Sequence, residues 1–148
     1  WLVHLGIYKY GIREERKNLR KFSSEKRTYT IIDKEKNEHI SAMETLLINE
    51  KKFLDPTISL ETVANELNIS RGHLSRVINA ELNTSFTDYV NTLRVEEAKF
   101  YLQHPDFSSY TLVAIGLEAG FNSKSTFNKA FKKITGTTPS QFQKQHSN

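Results

Sequence analysis

Apolar positions in most of this chain recur three and four apart, the period of an amphipathic helix. Ile40, Met43, Leu46, Leu47 and Phe53 predict a helix over residues 40–54. Asp55-Pro56 stops it, because the residue before a proline is pushed out of helical backbone. Val63, Ala64 and Leu67 form the buried face of a short helix capped by Ser59, with Glu61 and Thr62 in its first turn. Asn68 stands at a turn that needs left-handed backbone, which Asn tolerates better than most residues. Ser70 caps the next helix, running to about Leu82 with Leu74, Val77 and Ile78 inward. Phe86, Tyr89, Val90, Leu93, Ala98 and Leu102 then keep a helical period over residues 85–103, from Ser85 to the stop at His104-Pro105. A second short helix starts near Thr111 with Ala114, Ile115 and Ala119 inward, and Gly120 supplies its turn. Ser123 caps a helix from Lys124 to about Ile134 with Phe127 and Phe131 inward, and Gly136 ends it. Pro139 opens a last short helix with Phe142 inward.

Two stretches of this pattern are copies. Residues 59–83 and 111–136 align with an offset of 52 up to Ile69/Phe121 and 53 from Ser70/Ser123 onward. Each has a short helix with a small residue at its centre (Ala64, Gly116), a tight turn, a capping Ser, and a longer helix with a basic residue between apolar ones (Arg76, Lys129). That is the layout of a helix-turn-helix, whose second helix lies in the DNA major groove. Two units in one chain predict a reader of two consecutive groove segments. The helix between them reads as a spacer.

Composition narrows the chemistry. The chain has no cysteine, which excludes disulfides, thiolate metal sites and Cys nucleophiles. His4, His39, His73, His104 and His146 never fall at metal-ligand spacing and read as surface or packing residues. No Gly-rich phosphate loop, convergent carboxylates or Ser/His constellation points to an enzyme, and no cofactor or metal is expected. The net charge of +4 sits entirely in residues 1–39, which hold ten Lys/Arg against six Asp/Glu. Residues 40–148 hold eleven of each, yet after Glu118 no acid occurs while Lys124, Lys129, Lys132, Lys133 and Lys144 follow. Local potential, not total charge, decides phosphate contact.

The chain opens on Trp1 and reads as a piece of something longer. Residues 1–12 are mostly apolar and aromatic, and Arg13, Arg16, Lys17, Arg20, Lys21, Lys26 and Arg27 follow. Interfacial aromatics before cytoplasmic Lys/Arg mark the end of a membrane helix. The expectation is therefore a juxtamembrane and linker segment over residues 1–39, with Tyr29–Ile32 its one β-prone run, and a membrane reached through residues upstream of 13; the alternative for residues 1–12 is an amphipathic helix that packs on the domain or on a partner. Residues 13–54 are the candidate element for a homodimer, although their heptad pattern is weak.

The segment from about Ile40 to Gln145 resembles the DNA-binding domain of AraC/XylS-type bacterial transcription regulators. The resemblance rests on Ala64, Ser70, Leu74-Ser75-Arg76, Ser85-Phe86, Tyr89, Arg94, Ala98 and Leu102, then Ile115, Gly120-Phe121, Ser123, Phe127, Phe131-Lys132-Lys133, Gly136 and Pro139. The stretch HLSRVINAEL…SFTDYVN is similar to a subset found in Bacteroidetes-type bacteria, where the domain often follows several membrane helices. The implied fold is all-α: two homeodomain-like helix-turn-helix subdomains, about 40–84 and 104–148, joined by a long spacer helix over 85–103. The implied partner is double-stranded DNA, with RNA polymerase as a further one, and the implied location is cytoplasmic, tethered to the inner membrane in the full-length protein. Three positions depart from the family: Asn83 stands where Gly is usual, Gly116 where Ala is usual, and Gln143 where Arg is common. Gly116 is expected to loosen the second unit, and Gln143 to remove a structural or phosphate contact.

By the same resemblance, base-edge contacts in the first unit fall on Gly72, Ser75 and Arg76. Gly72 has no side chain to read with, so Ser75 and Arg76 carry the reading, with Arg71 and Asn79 reaching phosphate or flanking bases. The matching positions in the second unit are Ser125, Thr126 and Lys129, with Lys124 and Asn128 beside them and Lys132 and Lys133 as phosphate holders. The competing reading is a helical protein–protein interaction module that has lost DNA binding, and Gly72 at a reading position is what speaks for it.

Overall fold

The computed structural model describes residues 38–146. The expected membrane-proximal run at 1–12, the β-prone run at 29–32 and the 13–37 part of the candidate dimer element lie outside the described residues. Within them, all regular structure is helical. The order is α1 (Glu38–Glu44), α2 (Leu60–Glu66), α3 (Arg71–Leu82), α4 (Phe86–Gln103), α5 (Leu112–Glu118), α6 (Lys124–Thr135) and α7 (Pro139–His146). The chain divides into two compact units, whose described parts are residues 38–94 and 95–146.

The first unit packs Ile40, Met43, Leu47, Phe53, Val63, Ala64, Leu74, Ile78, Phe86 and Val90 into one core. The helix expected over 40–54 does not run through. It widens into a π-turn at Thr45–Asn49, where the Glu50 N–H donates to the Thr45 carbonyl (3.1 Å). Lys51 then adopts left-handed backbone (φ 55°), and a 3-10 turn spans Lys52–Leu54. The cause is geometric. A helix turns about 100° per residue, so an unbroken one would carry Phe53 about 240° around from Leu47, away from the core. The left-handed residue swings Phe53 back, and it ends fully buried. Arg94 holds this bend from α4: its Nε donates to the Phe53 carbonyl (2.7 Å) and its Nη2 to the Asp55 carbonyl (2.8 Å). The Tyr89 hydroxyl donates to Glu44 Oε1 (3.2 Å) and ties α4 to α1. Burial first, then the Glu44 carboxylate, pushes the Tyr89 phenol well above its usual value.

The second unit packs Val95, Ala98, Tyr101 and Leu102 of α4 with Phe107, Ile115, Ala119, Phe121, Phe127, Phe131 and Phe142. Its rings form a chain of contacts: Phe121–Phe127 at 5.2 Å, Phe127–Phe131 at 5.6 Å and Phe131–Phe142 at 5.4 Å between centroids. The buried Tyr101 hydroxyl donates to Glu97 Oε1 (2.8 Å), so the carboxylate of Glu97, 1% exposed, has a partner inside the core. The helix expected as a spacer is thus present as α4, but it supplies both cores. Phe86 and Val90 belong to the first, and Val95, Ala98, Tyr101 and Leu102 to the second.

Candidate nucleic-acid interface

The two copies share the bonds of their turns and of their second-helix caps, while the caps of their first helices differ. In the first, Ser59 and Thr62 form a reciprocal cap at α2, with Thr62 N–H to Ser59 Oγ at 3.1 Å and Ser59 N–H to Thr62 Oγ1 at 3.0 Å. In the second, Thr111 Oγ1 accepts from the Ala114 N–H at the start of α5 (3.1 Å). The turns coincide. Asn68 (φ 55°) and Gly120 (φ 97°) are left-handed, and Ile69 N–H to Ala64 carbonyl repeats as Phe121 N–H to Gly116 carbonyl, both at 3.0 Å. Ser70 caps α3 through the His73 N–H (3.1 Å), and Ser123 caps α6 through the Thr126 N–H (3.2 Å). Both second helices have 12 residues and end on a left-handed residue, Asn83 (φ 50°) and Gly136 (φ 80°). Asn83 fills its unusual position because Asn, with its short polar side chain, is the best substitute for Gly there.

The expected loosening at Gly116 does not occur. Phe127 occupies the space that a Cβ would take: a methyl group there would sit 2.7 Å from Phe127 Cδ1 and 2.9 Å from its Cγ. The first unit has Ala64 and Leu74 at the matching positions, both buried. A smaller residue on the first helix is matched by a larger one on the second, so each unit fills its core by a different division of volume.

The outward faces of α3 and α6 carry the candidate contacts. Arg71, Arg76 and Asn79 are exposed on α3, while Ser75 is half-buried. On α6, Lys124, Ser125, Thr126, Lys129, Lys132 and Lys133 are exposed and Asn128 is half-buried. Among the described residues, Arg71, Arg76, Lys124, Lys129 and Lys132 make no ion pair or hydrogen bond. Elsewhere Lys52 is tied to Glu66 and Glu50, Lys99 to Glu96 and Arg94 to backbone carbonyls, while Lys144 on α7 is exposed. The charge left over for a partner lies mainly on the two second helices.

Two of the sequence-predicted residues have their polar groups engaged within the protein. Asn79 Nδ2 donates to the Ser75 carbonyl one turn earlier (2.8 Å). Thr126 Oγ1 lies within hydrogen-bonding distance of Asn122 Oδ1 (3.0 Å), the Ser123 carbonyl (2.9 Å) and Ser123 Oγ (3.0 Å). Asn122 therefore holds the start of α6, a role that the sequence reading did not assign. Pattern reading also missed the cap of α7, where the Thr138 N–H donates to Gln141 Oε1 (3.0 Å) and the Gln141 N–H to Thr138 Oγ1 (3.2 Å). Its signal was present in the sequence as Thr-x-x-Gln.

The family described as "Helix-turn-helix domain" matches residues 63–145, which contain the first helix-turn-helix copy from Val63 onward and all of the second. The chain belongs to the AraC-type helix-turn-helix family. It is 36% identical over 85 residues to the probable transcription factor PqrA of Proteus vulgaris, covering 57% of this chain and 67% of that protein. It is 29% identical over 92 residues to the Msm operon regulatory protein of Streptococcus mutans, covering 62% of this chain and 32% of that protein, so it spans about a third of that relative. Among solved structures it is similar to the C-terminal domain of AraT, a response regulator from Geobacillus stearothermophilus, with a TM-score of 0.68 and 28% identity over 76% of this chain and 88% of that one. Its AraC-type relatives are transcription regulators, not enzymes. No helix among the described residues is long and apolar enough to cross a membrane.

Proposed function

We propose that this chain is the DNA-binding part of a sequence-specific transcription regulator, and that α3 and α6 read two adjacent major-groove segments of one duplex. The observation that carries the reading is the repeated helix-turn-helix, with a serine cap and unpaired cations on each second helix. Arg76 is the principal reader, since its guanidinium gives two hydrogen bonds to a guanine edge. Ser75, Ser125 and Lys129 are the further base contacts. Arg71, Lys124, Asn128, Lys132 and Lys133 hold phosphate and fix the register. Asn79 and Thr126 join them only by giving up bonds that they make within the protein.

The test is selection of bound sequences from a pool of randomised duplex DNA. Recovery of two short boxes about one helical turn apart, roughly 34 Å, supports the two-unit reader. Recovery of no preferred sequence, with no salt-sensitive binding, overturns it in favour of a protein partner.

The apolar, aromatic run at 1–12 and the seven Lys/Arg between 13 and 27 support a second element of the proposal, a cytoplasmic output tethered to a membrane sensor. Sequencing of the full gene decides this: no hydrophobic span upstream of residue 1 overturns the tether and leaves the DNA reading intact.

A further inference from the structure

We propose that a cleft on the first unit seats the sugar–phosphate backbone of one strand of the duplex that α3 reads, and that Thr87 and Asn91 of α4 hold its phosphate together with Arg71. The proposal rests on the DNA-binding reading above, and extends the contact surface to a helix whose expected role was only to space the two units.

The cleft has a volume of about 450 Å³ and lies between the start of α2, the reading helix α3 and the first turns of α4. Arg71 and Ser75 line it from α3, the helix that presents Arg76. Thr87 and Asn91 line it from α4, four residues apart and therefore on one face. Neither Thr87 nor Asn91 makes a hydrogen bond among the described residues, although Asn91 is half-buried. The Asn91 carboxamide is thus open to a group from outside the fold. Arg71 is exposed and equally unpaired. A guanidinium, a hydroxyl and an amide N–H are the donor types that protein–DNA interfaces direct at phosphate oxygens.

The remaining lining suits the rest of a nucleotide backbone. Ile58 and Leu60 offer half-buried apolar surface for a deoxyribose ring. Arg94 also lines the cleft, but its Nε and Nη2 are bonded to the carbonyls of Phe53 and Asp55, so it contributes charge there more than a contact. Glu61 is the lone carboxylate on the lining and opposes an anion. Arg71 and Arg94 thus oppose Glu61 on the lining, and Asp55 offsets part of the Arg94 charge.

The experiment uses the whole chain and the duplex recovered from the randomised pool, with a scrambled duplex beside it. Asn91→Ala should weaken binding by about two- to tenfold on both duplexes, the worth of one hydrogen bond. Thr87→Glu, at an exposed position that leaves the fold intact, should weaken it more, and Glu61→Gln should tighten it. Thermal melting of each variant checks folding. Single neutral methylphosphonates are then scanned along the strand. At one position the substitution should cost Asn91→Ala less than it costs the wild type, since Arg71 and Thr87 still face that phosphate, and Thr87→Glu should partly recover. Wild-type affinity in both Asn91→Ala and Thr87→Glu, or losses that multiply at every scanned position, overturns the cleft assignment and leaves DNA binding standing. A wild type that binds neither duplex at low salt overturns both readings.

Discussion

Gly116 and Gly72 stand at opposite extremes for the same residue type. At Gly116 a methyl group would meet the Phe127 ring at 2.7 Å, in a core with no slack. Gly116→Ala should therefore destabilise the second unit by about 1–3 kcal/mol, the usual cost of overpacking, as read by denaturant unfolding. Adding Phe127→Leu should return part of that loss, because the pair then matches Ala64 and Leu74 of the first unit. A double variant no more stable than Gly116→Ala would show that the two volumes are not coupled. At Gly72, in contrast, a Cβ would meet nothing within 4 Å, and the position is exposed in the first turn of α3. The fold has no need of a glycine there. Gly72→Ala should raise stability by about 0.5–1 kcal/mol in a thermal melt, through the reduced freedom of the unfolded chain. A rise accompanied by weaker DNA binding would place the groove wall against that turn; a fall in stability would contradict the open geometry.

The second helices α3 and α6 share their caps and length but not their chemistry. α3 offers two guanidinium groups, and α6 offers lysines, of which Lys132 and Lys133 lie in its last turn. Arg is the bidentate reader of base edges, while Lys is a compact point charge suited to phosphate. Arg76→Ala should cost about 1–3 kcal/mol on the recovered site and relax the preference at one base pair. Lys132→Ala should weaken recovered and random duplexes alike and lower the salt slope by about one. Titrations on both duplexes across a salt series separate the two. Equal losses for both variants on both duplexes would refute this division of labour. Most of what matters in these units was readable in advance: Ser59, Ser70 and Ser123 as caps, Thr111 as the start of a helix, and Asn68, Gly120 and Gly136 as turn or helix-ending positions. Those features depend on a residue and its neighbours within one turn. The first helix was not readable in the same way. Its apolar residues suggested a single element to residue 54, whereas burying Phe53 required a left-handed break at Lys51, and Arg94 holds the Phe53 carbonyl from 41 residues away.

Two helix-turn-helix units on one chain imply a constraint on DNA that neither has alone. If both read the same face of a duplex, the distance between their boxes is coupled to helical phase. Inserting about half a turn, ~5 base pairs, between the recovered boxes should reduce affinity to that of a single box, and about a full turn should restore part of it. A loss that ignores phase would mean that the units bind independently. The order of helices, most of their ends after the first, and the duplication that points to DNA were carried by local sequence. Periodicity, caps and turn residues act over a few positions, and each repeats visibly at an offset of 52 or 53. Other features emerged only when distant residues met: the break before Phe53, the division of α4 between two cores, the fit of Phe127 against Gly116, and a cleft that brings Thr87 and Asn91 beside Arg71. These depend on volume and hydrogen bonding between segments far apart in the chain. A one-dimensional pattern marks which residues turn inward, and packing decides which neighbours they find there.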